Sequence, residues 1–279
     1  MRSVSCRRRG VGDTRVTRRL RLLLEYDGTG FQGWQRQPTG ERTVQAAVEA
    51  ALAALPGRHG PVHAAGRTDA GVHALGMVAH VDTSSEIPVA KLRLALNAHL
   101  PRDVVVLQAS ETTSDFEAQY GCRYRRYLYR MRLSRDDARG VALERHRCLT
   151  VYARLDLDAM RQASAGFLGE HDFASLATRE TRSTRRTVHL CELREERGEL
   201  RLHVAADGFL RSMVRTLVGT LLSVGKGALA ADAIPAVLAA RDRARAGRNV
   251  PPQGLYFVEA GYEPWDRARS EALAGRIVV

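Results

Sequence analysis

The sequence predicts a mixed α+β protein whose first half has the ferredoxin-like order β-α-β-β-α-β. Two observations lead to this prediction. Apolar residues recur every three to four positions in two segments, as in amphipathic helices, and form short runs in four others, as in buried strands. Prolines and glycines fall between these segments, where they end one element before the next begins.

Four strands and two helices account for the first half. The strands are apolar runs within residues 18–26, 62–65, 77–81 and 104–107. The helices begin at Thr43 and Pro88 and end before Pro56 and Pro101. This order leaves a single loop between the two middle strands.

That loop, residues 66–73, has the sequence Gly-Arg-Thr-Asp-Ala-Gly-Val-His. Two glycines bracket the guanidinium of Arg67 and the carboxylate of Asp69, and glycine lets a backbone approach a ligand closely. Loops held between strands often carry chemistry. The loop alone, however, favours an ordinary turn in which Asp69 bonds its own backbone.

The second half is predicted from weaker signals of the same kind. Its segments are a strand over Cys122–Arg132, a helix over Asp158–Leu168, strands over Thr187–Leu193 and Leu200–Ala205, helices over Phe209–Val224 and Asp232–Ala240, and a closing strand over Leu255–Gly261. The turn Arg197-Gly198 joins the middle pair of strands. Charged residues between Asp136 and Arg147 predict an exposed insertion.

The chain divides into four parts on this basis. Residues 1–17 form an Arg-rich tail that we expect to be disordered, and residues 268–279 form a C-terminal tail. Between them, residues 18–115 form a first domain that carries the Asp69 loop. Residues 116–267 form a second domain that carries the Tyr-rich strand and the Arg-bearing helix.

Composition narrows the class of partner. The chain has 43 basic and 31 acidic residues and a net charge of +12, which favours an anionic partner, most simply nucleic acid. The four cysteines form no C-x-x-C pair, so we expect no metal site, no disulfide framework and a reducing, cytoplasmic compartment. No apolar run approaches the roughly 18 residues of a membrane span.

A glycine pattern near the N-terminus resembles a dinucleotide-binding fingerprint. Gly28, Gly30 and Gly33 have the spacing G-x-G-x-x-G and follow a predicted strand. The fingerprint must open a helix so that a pyrophosphate meets the helix N-terminus. Pro38 and the absence of helical spacing after Gly33 disfavour a nucleotide site here.

The strand over Cys122–Arg132 interleaves arginine with tyrosine. Arg123, Arg125 and Arg126 are candidates for RNA phosphate contacts, and an aromatic face can stack on an unpaired base. The alternative is a half-buried strand whose tyrosines pack while its arginines are solvated. The two-residue period of a strand puts Tyr127 and Tyr129 on one face, opposite Arg126.

The predicted helix over Phe209–Val224 carries two arginines on one side. Arg211 and Arg215 are four residues apart, and Arg215 lies on the flank of the apolar stripe. Arg211 is a further candidate for RNA binding. An arginine there can reach a neighbouring loop while its stem stays packed. Helical spacing alone favours the alternative, an ordinary solvated arginine.

Seven stretches in order resemble the tRNA pseudouridine synthase A family. They are Tyr26-Asp27-Gly28 with Phe31-Gln32-Gly33-Trp34-Gln35, the loop at residues 66–73, Asn97-Ala98-His99-Leu100-Pro101, Arg126-Tyr127-Leu128-Tyr129, Gly169-Glu170-His171-Asp172-Phe173, Gly208-Phe209-Leu210 with Met213-Val214-Arg215, and Gly254-Leu255-Tyr256. Two positions depart from the family pattern: Asp207 stands where Asn is common, and Glu117 where His is frequent.

The resemblance implies a fold and a reaction. The fold is two ferredoxin-like antiparallel-sheet halves, with helices on one side, around a central basic cleft, usually in a homodimer. The reaction is the cofactor-free and metal-free isomerisation of uridine to pseudouridine in the anticodon stem-loop of tRNA. The alternative class is a non-catalytic RNA-binding protein or tRNA chaperone, which would share the charge but would not need Asp69.

The resemblance also implies roles for individual residues. Asp69 would be the nucleophile, attacking ribose C1′ or base C6 or starting elimination to a glycal, and Arg215 would pair with it. Arg67 would hold the displaced nucleotide. Tyr127 would stack on the uracil and receive or relay a proton, and Leu255 would pack on the base from the other side.

Overall fold

The computed structural model describes residues 17–134, 140–178 and 183–274. Almost all of the predicted N-terminal tail, and residues 135–139 at the start of the predicted insertion, lie outside these ranges. Within them, no helix has both the length and the apolar character needed to cross a membrane.

The first half has the predicted order of elements. They are β1 (Arg18–Tyr26), α1 (Val44–Ala53), β2 (His63–Ala64), β3 (His73–Thr83), α2 (Val89–His99) and β4 (Val104–Thr112). Thr43 caps α1 by accepting a hydrogen bond from the Ala46 amide, which satisfies one free donor of the first turn. The strand β2 is only two residues long, so the chain leaves the sheet early and forms the loop that carries Asp69.

The second half follows with more elements than were predicted. They are β5 (Tyr124–Leu133), α3 (Val141–Glu144), β6 (Leu149–Val151), α4 (Leu157–Ala165), β7 (Gly169–Asp172), β8 (Arg185–Glu196), β9 (Glu199–Ala206), α5 (Met213–Gly225), α6 (Ile234–Ala239), β10 (Leu255–Gly261) and α7 (Arg267–Ala274). The segment predicted as a C-terminal tail contains most of α7, and Ser270 of that helix is fully buried.

The two halves share one mostly antiparallel sheet, which confirms the α+β class. The strand order is β4-β1-β3-β10-β5-β9-β8-β7, with β2 added to β3 and β6 to β5. The last strand, β10, joins the halves: it pairs in parallel with β3 and antiparallel with β5. The Asp69 loop, which precedes β3, therefore lies beside the strand that carries Tyr127.

The predicted faces of β5 are confirmed. Tyr127 and Tyr129 belong to the main hydrophobic core, which also contains residues of α1, α2, α4 and α5. Leu128 belongs to a small separate cluster with Leu75, Tyr256 and Val258. Since successive strand residues point to opposite faces, these four helices cover the face that carries the two tyrosines.

Two turns differ in how well the sequence predicted them. The turn between β8 and β9 is where expected: Arg197 has φ of 52° and Gly198 has φ of 75°, as a tight two-residue hairpin requires. The helix predicted from Phe209 instead begins at Met213. Ser212 has φ of 63°, and the Met213 amide donates to the Leu210 carbonyl, so a turn precedes the helix. The apolar spacing continues through this turn and concealed the boundary.

Candidate active site

The segment that follows β1 holds the Asp69 loop through two backbone hydrogen bonds. The Trp34 amide donates to the Thr68 carbonyl at 3.1 Å, and the Gly71 amide donates to the Phe31 carbonyl at 3.2 Å. These bonds act on both sides of Asp69. Backbone contacts with a neighbouring segment therefore help to fix the position of Asp69.

The glycine pattern that resembles a nucleotide fingerprint permits this contact. A Cβ on Gly33, whose φ is +86°, would lie 2.6 Å from the Thr68 carbonyl oxygen, and one on Gly28 would lie 2.0 Å from the Val72 carbonyl oxygen. Only a three-residue 3-10 turn follows β1, whereas a dinucleotide-binding fingerprint must open a helix. The glycines allow two backbone segments to approach each other.

Buried side chains hold the two ends of the loop. The Tyr26 hydroxyl and Thr68 Oγ1 lie 2.8 Å apart in a buried site, directly before Asp69. At the other end, His73 Nδ1 accepts from the Gly28 amide at 3.1 Å, and the ring stacks on Tyr256. Burial lowers the pKa of His73, which keeps the acceptor nitrogen unprotonated.

Asp69 forms an ion pair with Arg215 from the other half of the molecule. Arg215 Nη1 lies 3.2 Å from Asp69 Oδ2, and the residues are 146 positions apart in sequence. The Asp69 side chain is 35% exposed and that of Arg215 is 17% exposed. Among the described residues, Asp69 Oδ1 has no hydrogen-bond partner. One carboxylate oxygen is thus held and the other is available to a ligand.

A second bond orients the guanidinium. Arg215 Nε donates to the Val250 carbonyl at 2.7 Å, and the Val250 amide donates back to the Arg215 carbonyl at 3.3 Å. The segment before Val250 lies directly on α5, where a Cβ on Gly219 would be 1.7 Å from the Arg248 carbonyl oxygen. A Cβ on Gly247 would lie 2.3 Å from the Gly219 carbonyl carbon. The two glycines together bring Val250 within reach of Arg215.

Tyr127 lies against two other aromatic rings. Its ring meets Phe209 and Phe257 edge to face, with centroid distances of 5.0 and 5.2 Å. The residue is 7% exposed, and its hydroxyl has no hydrogen-bond partner within the described ranges. Burial raises the pKa of Tyr127 well above its ordinary value, and the negative charge of Asp69 adds to the rise. The phenol is therefore neutral at physiological pH and near Asp69.

Leu255 lies on the predicted strand. Its side chain packs in the hydrophobic core, next to the residues of the site. It opens β10 opposite Tyr129 and is 6% exposed. Two positions later on the same face comes Phe257, the ring that meets Tyr127. The structure thus brings together Asp69, Arg215 and Tyr127, with Leu255 on the adjoining strand.

The structure contradicts the predicted RNA contact by Arg126. This side chain is 1% exposed and lies on the face of β5 opposite Tyr127. Its Nη1 donates to the carbonyl and hydroxyl of Ser270 at 3.0 and 3.1 Å, and Nη2 contacts His203. The reason is the helix α7, which covers this face and which no sequence pattern had predicted.

Arg125 was also predicted to bind RNA, but its guanidinium forms hydrogen bonds within the protein. Its Nε and Nη2 donate to the Ala65 carbonyl at 2.9 and 2.8 Å. Nη2 also donates to the Gln119 carbonyl at 2.8 Å, and Nη1 to the Asp207 carbonyl at 3.0 Å. The guanidinium therefore ties three separate segments together beside the Asp69 loop.

The remaining arginines predicted to bind RNA, and Arg67, which was predicted to hold the substrate nucleotide, are on the surface. Arg67, Arg123 and Arg211 are exposed, and none has a side-chain partner among the residues that the structure describes. Arg67 stands two positions before Asp69. The same ranges contain no group of three or more His, Cys, Asp or Glu side chains that could hold a metal ion.

Sequence reasoning missed the residues that support the site. Val250 acts through its carbonyl, which any residue would supply, so no sequence signal identifies it. Phe209 and Phe257 resemble ordinary core residues. Gly219 lies within a helix, where an apparently unfavourable glycine was a usable sign of close backbone approach.

A family model described as tRNA pseudouridine synthase matches residues 23–121 and 163–263. The chain belongs to the tRNA pseudouridine synthase family. The synthase model includes the Asp69 loop in its first matched segment, and Arg215 and Leu255 in its second. Tyr127 falls in the stretch between the two matched segments.

Individual synthases are similar over most of their length. The tRNA pseudouridine synthase A of Thermus thermophilus is 46% identical over 249 residues, which cover 88% of this chain and 97% of that protein. The protein of the same name from Rhodopseudomonas palustris is 42% identical, covering 88% and 99%. That of Acetivibrio thermocellus is 41% identical, covering 88% and 100%. The similarity therefore includes both halves of the sheet.

Proposed function

We propose that the chain is a tRNA pseudouridine synthase that isomerises uridine in the anticodon stem-loop, with Asp69 as the nucleophile and no cofactor. The ion pair between Asp69 and Arg215, at 3.2 Å across the two halves, is the observation that carries this proposal. The family supplies the reaction class. The names of the relatives supply tRNA as the substrate.

The reaction exchanges one bond of the nucleotide for another. The bond from ribose C1′ to base N1 breaks, the uracil turns, and a bond from C1′ to C5 forms. The C5 proton leaves and N1 gains a proton, so no redox partner is required. Covalent catalysis by a carboxylate suits cleavage of a glycosidic bond.

Asp69 is placed for this role by its asymmetric contacts. Arg215 holds Oδ2, which leaves Oδ1 for attack on ribose C1′ or base C6, or for the proton abstraction that leads to a glycal. The bond from Arg215 to Val250 prevents the guanidinium from rotating away. A nucleophile held in one orientation avoids much of the entropic cost of alignment.

Tyr127 supplies an apolar face and a proton. Its ring would stack on the uracil while Leu255 packs on the opposite side. Because burial keeps the phenol neutral, the hydroxyl relays a proton by accepting one as it gives up its own. Its lack of a hydrogen-bond partner among the described residues supports a contact with substrate.

The exposed arginines support RNA binding around this site. Arg67 would hold the nucleotide after it leaves its stack, since the base must be extruded before chemistry can occur. Arg123 and Arg211 would neutralise phosphates, in keeping with the net charge of +12. Arg125 and Arg126 are left out of this role because both are bonded within the protein.

We infer in addition a cytoplasmic homodimer. The described cysteines Cys122, Cys148 and Cys191 are free and buried, which suits a reducing compartment. The dimer rests on the family resemblance. Light scattering is expected to give twice the chain mass of 30.8 kDa, and a single-chain mass would contradict it.

Asp69→Asn tests the proposed function directly. The change preserves shape but removes the charge, so tRNA binding is expected to remain while tritium release from tRNA labelled at uridine C5 is abolished. Asp158→Asn is the matched control, since that side chain is 94% exposed on α4, and it should release tritium like the wild type.

Two results would contradict the proposal. If Asp69→Asn releases tritium near the wild-type rate, Asp69 is not the nucleophile. If the wild type binds tRNA but releases no tritium from any tRNA, the chain is a non-catalytic RNA-binding protein.

A further inference from the structure

Tyr120 presents an exposed aromatic ring on a firmly held turn. The residue is 78% exposed, and its ring and hydroxyl have no partner within residues 17–134, 140–178 and 183–274. The backbone around it is fixed at three points. The Gly121 amide donates to the Glu117 carbonyl at 3.0 Å, the Tyr262 hydroxyl to the Ala118 carbonyl at 2.9 Å, and Arg125 to the Gln119 carbonyl at 2.8 Å.

This turn is attached to the Asp69 loop through a single nitrogen. Arg125 Nη2 donates to the carbonyls of both Gln119 and Ala65, each at 2.8 Å, so those two oxygens are at most 5.6 Å apart. Gln119 directly precedes Tyr120. Ala65 lies two residues before Arg67 and four before Asp69, so the turn that carries the exposed ring lies next to the start of the Asp69 loop.

The charges around the ring favour an anionic partner. Arg67 and Arg123 are exposed, and each lies within four residues in sequence of one of the two joined carbonyls, Ala65 and Gln119. The acidic residue of the turn, Glu117, is paired with Arg19 at 3.3 Å and lies 3.6 Å from His80. An exposed aromatic face together with exposed guanidinium groups is the combination that binds single-stranded nucleic acid through stacking and phosphate contacts.

We propose that Tyr120 is a stacking platform for an unpaired base of the RNA substrate, next to the nucleotide that enters the Asp69 site. The inference rests on the proposed function and adds an RNA-positioning residue to it. Because the turn is held before the RNA arrives, ordering the platform costs little entropy on binding. Arg67 and Arg123 contact the phosphates that flank the stacked base.

Tyr152 provides a matched control. It is also an exposed tyrosine, at 65%, but it follows β6, which pairs with the far end of β5 at Leu133. Tyr120 precedes the near end of β5 at Tyr124. The two ends of β5 are about 30 Å apart, at roughly 3.3 Å per residue, so the two tyrosines follow from opposite ends of that strand.

The experiment compares Tyr120→Ala, Tyr120→Phe and Tyr152→Ala by fluorescence anisotropy with a labelled anticodon stem-loop RNA, and by tritium release with tRNA. Loss of one stacked base is expected to raise the Kd of Tyr120→Ala by about 5- to 150-fold. KM should rise similarly, while kcat changes less than about twofold. Tyr120→Phe keeps the ring and should match the wild type, as should Tyr152→Ala.

A fully paired RNA duplex of equal charge separates stacking from general electrostatics. Tyr120→Ala should bind this duplex like the wild type, since it offers no unpaired base. An unchanged Kd for the stem-loop, an equal loss on the duplex, or a Tyr120→Phe variant as weak as Tyr120→Ala would each overturn the inference. A changed oligomeric mass with unchanged RNA affinity would assign Tyr120 to a contact between copies of the chain.

The RNA-binding measurement is independent of the tritium-release measurement. A wild type that releases no tritium would end the proposed function, and the stem-loop Kd would still decide whether Tyr120 stacks on RNA. A wild type that releases tritium while Tyr120→Ala matches it in Kd and KM would end only the present inference.

Discussion

Gly219→Ala is expected to disable the site from a distance, without changing a residue that contacts substrate. A Cβ at this position would lie 1.7 Å from the Arg248 carbonyl oxygen, where ordinary contact begins at 3.4 Å. The Arg248 backbone must therefore retreat by about 1.7 Å. Val250 lies two residues further on, and its carbonyl holds Arg215 at 2.7 Å.

The size of this displacement determines the expected loss of catalytic rate. A misplacement of about 1 Å at a catalytic group costs about 100-fold in rate, so kcat should fall by at least that factor. Overpacking a core costs about 1–3 kcal/mol. Alanine recovers about 1 kcal/mol of helix propensity over glycine, so the net loss of stability should be about 0–2 kcal/mol, which leaves the protein folded.

The assay is multiple-turnover tritium release at saturating tRNA, with Tm and tRNA Kd measured on the same preparation. Gly60→Ala is the control, because a Cβ there would meet its nearest neighbour, the Asp82 carbonyl oxygen, at an ordinary 3.5 Å. The expected pattern is a large loss of kcat in Gly219→Ala alone, with Kd preserved in both variants. A Gly219→Ala enzyme with wild-type kcat would refute the argument that α5 positions Arg215 through Val250.

Two further predictions use other contacts of the structure. Arg215→Lys keeps the positive charge but cannot bond both Asp69 and Val250, so kcat should fall by about 10- to 150-fold, the value of one charge-assisted bond, with little change in tRNA Kd. His203 is buried beside Arg126, which lowers its pKa from 6.5 to about 4. The unfolded chain then binds more protons between these values, so stability falls as pH drops through 6.5 towards 4. Urea midpoints should decrease from pH 7 to pH 5, and less so in His203→Gln; equal decreases would contradict this.

Local patterns were sufficient for much of the fold. The prolines at 56, 88 and 101 and the apolar spacing of α1 and α2 predicted the first half element by element. The strand β10 was predicted with the observed bounds, Leu255–Gly261. The two faces of β5 followed from its two-residue period. These features depend on neighbours within a few residues, which sequence patterns report directly.

The same patterns were misleading wherever a distant segment determined the outcome. Arg126 has the spacing of a solvated strand arginine, yet α7 covers it and Ser270 binds it. Arg125 looks like a phosphate ligand, yet three backbone carbonyls from separate segments occupy its guanidinium. The charge of an arginine and its place in the strand period can be read from the sequence. The groups that the folded chain packs against that arginine cannot.

By itself, the sequence determined the α+β class, the loop that carries Asp69 and the face on which Tyr127 lies. The tertiary structure decided that Asp69 meets Arg215, since β10 inserts between β3 and β5 and brings together residues 146 positions apart. It also decided that Val250 holds Arg215, because two glycines let one backbone lie against another. Such contacts depend on how elements pack, and packing is a property of the whole chain.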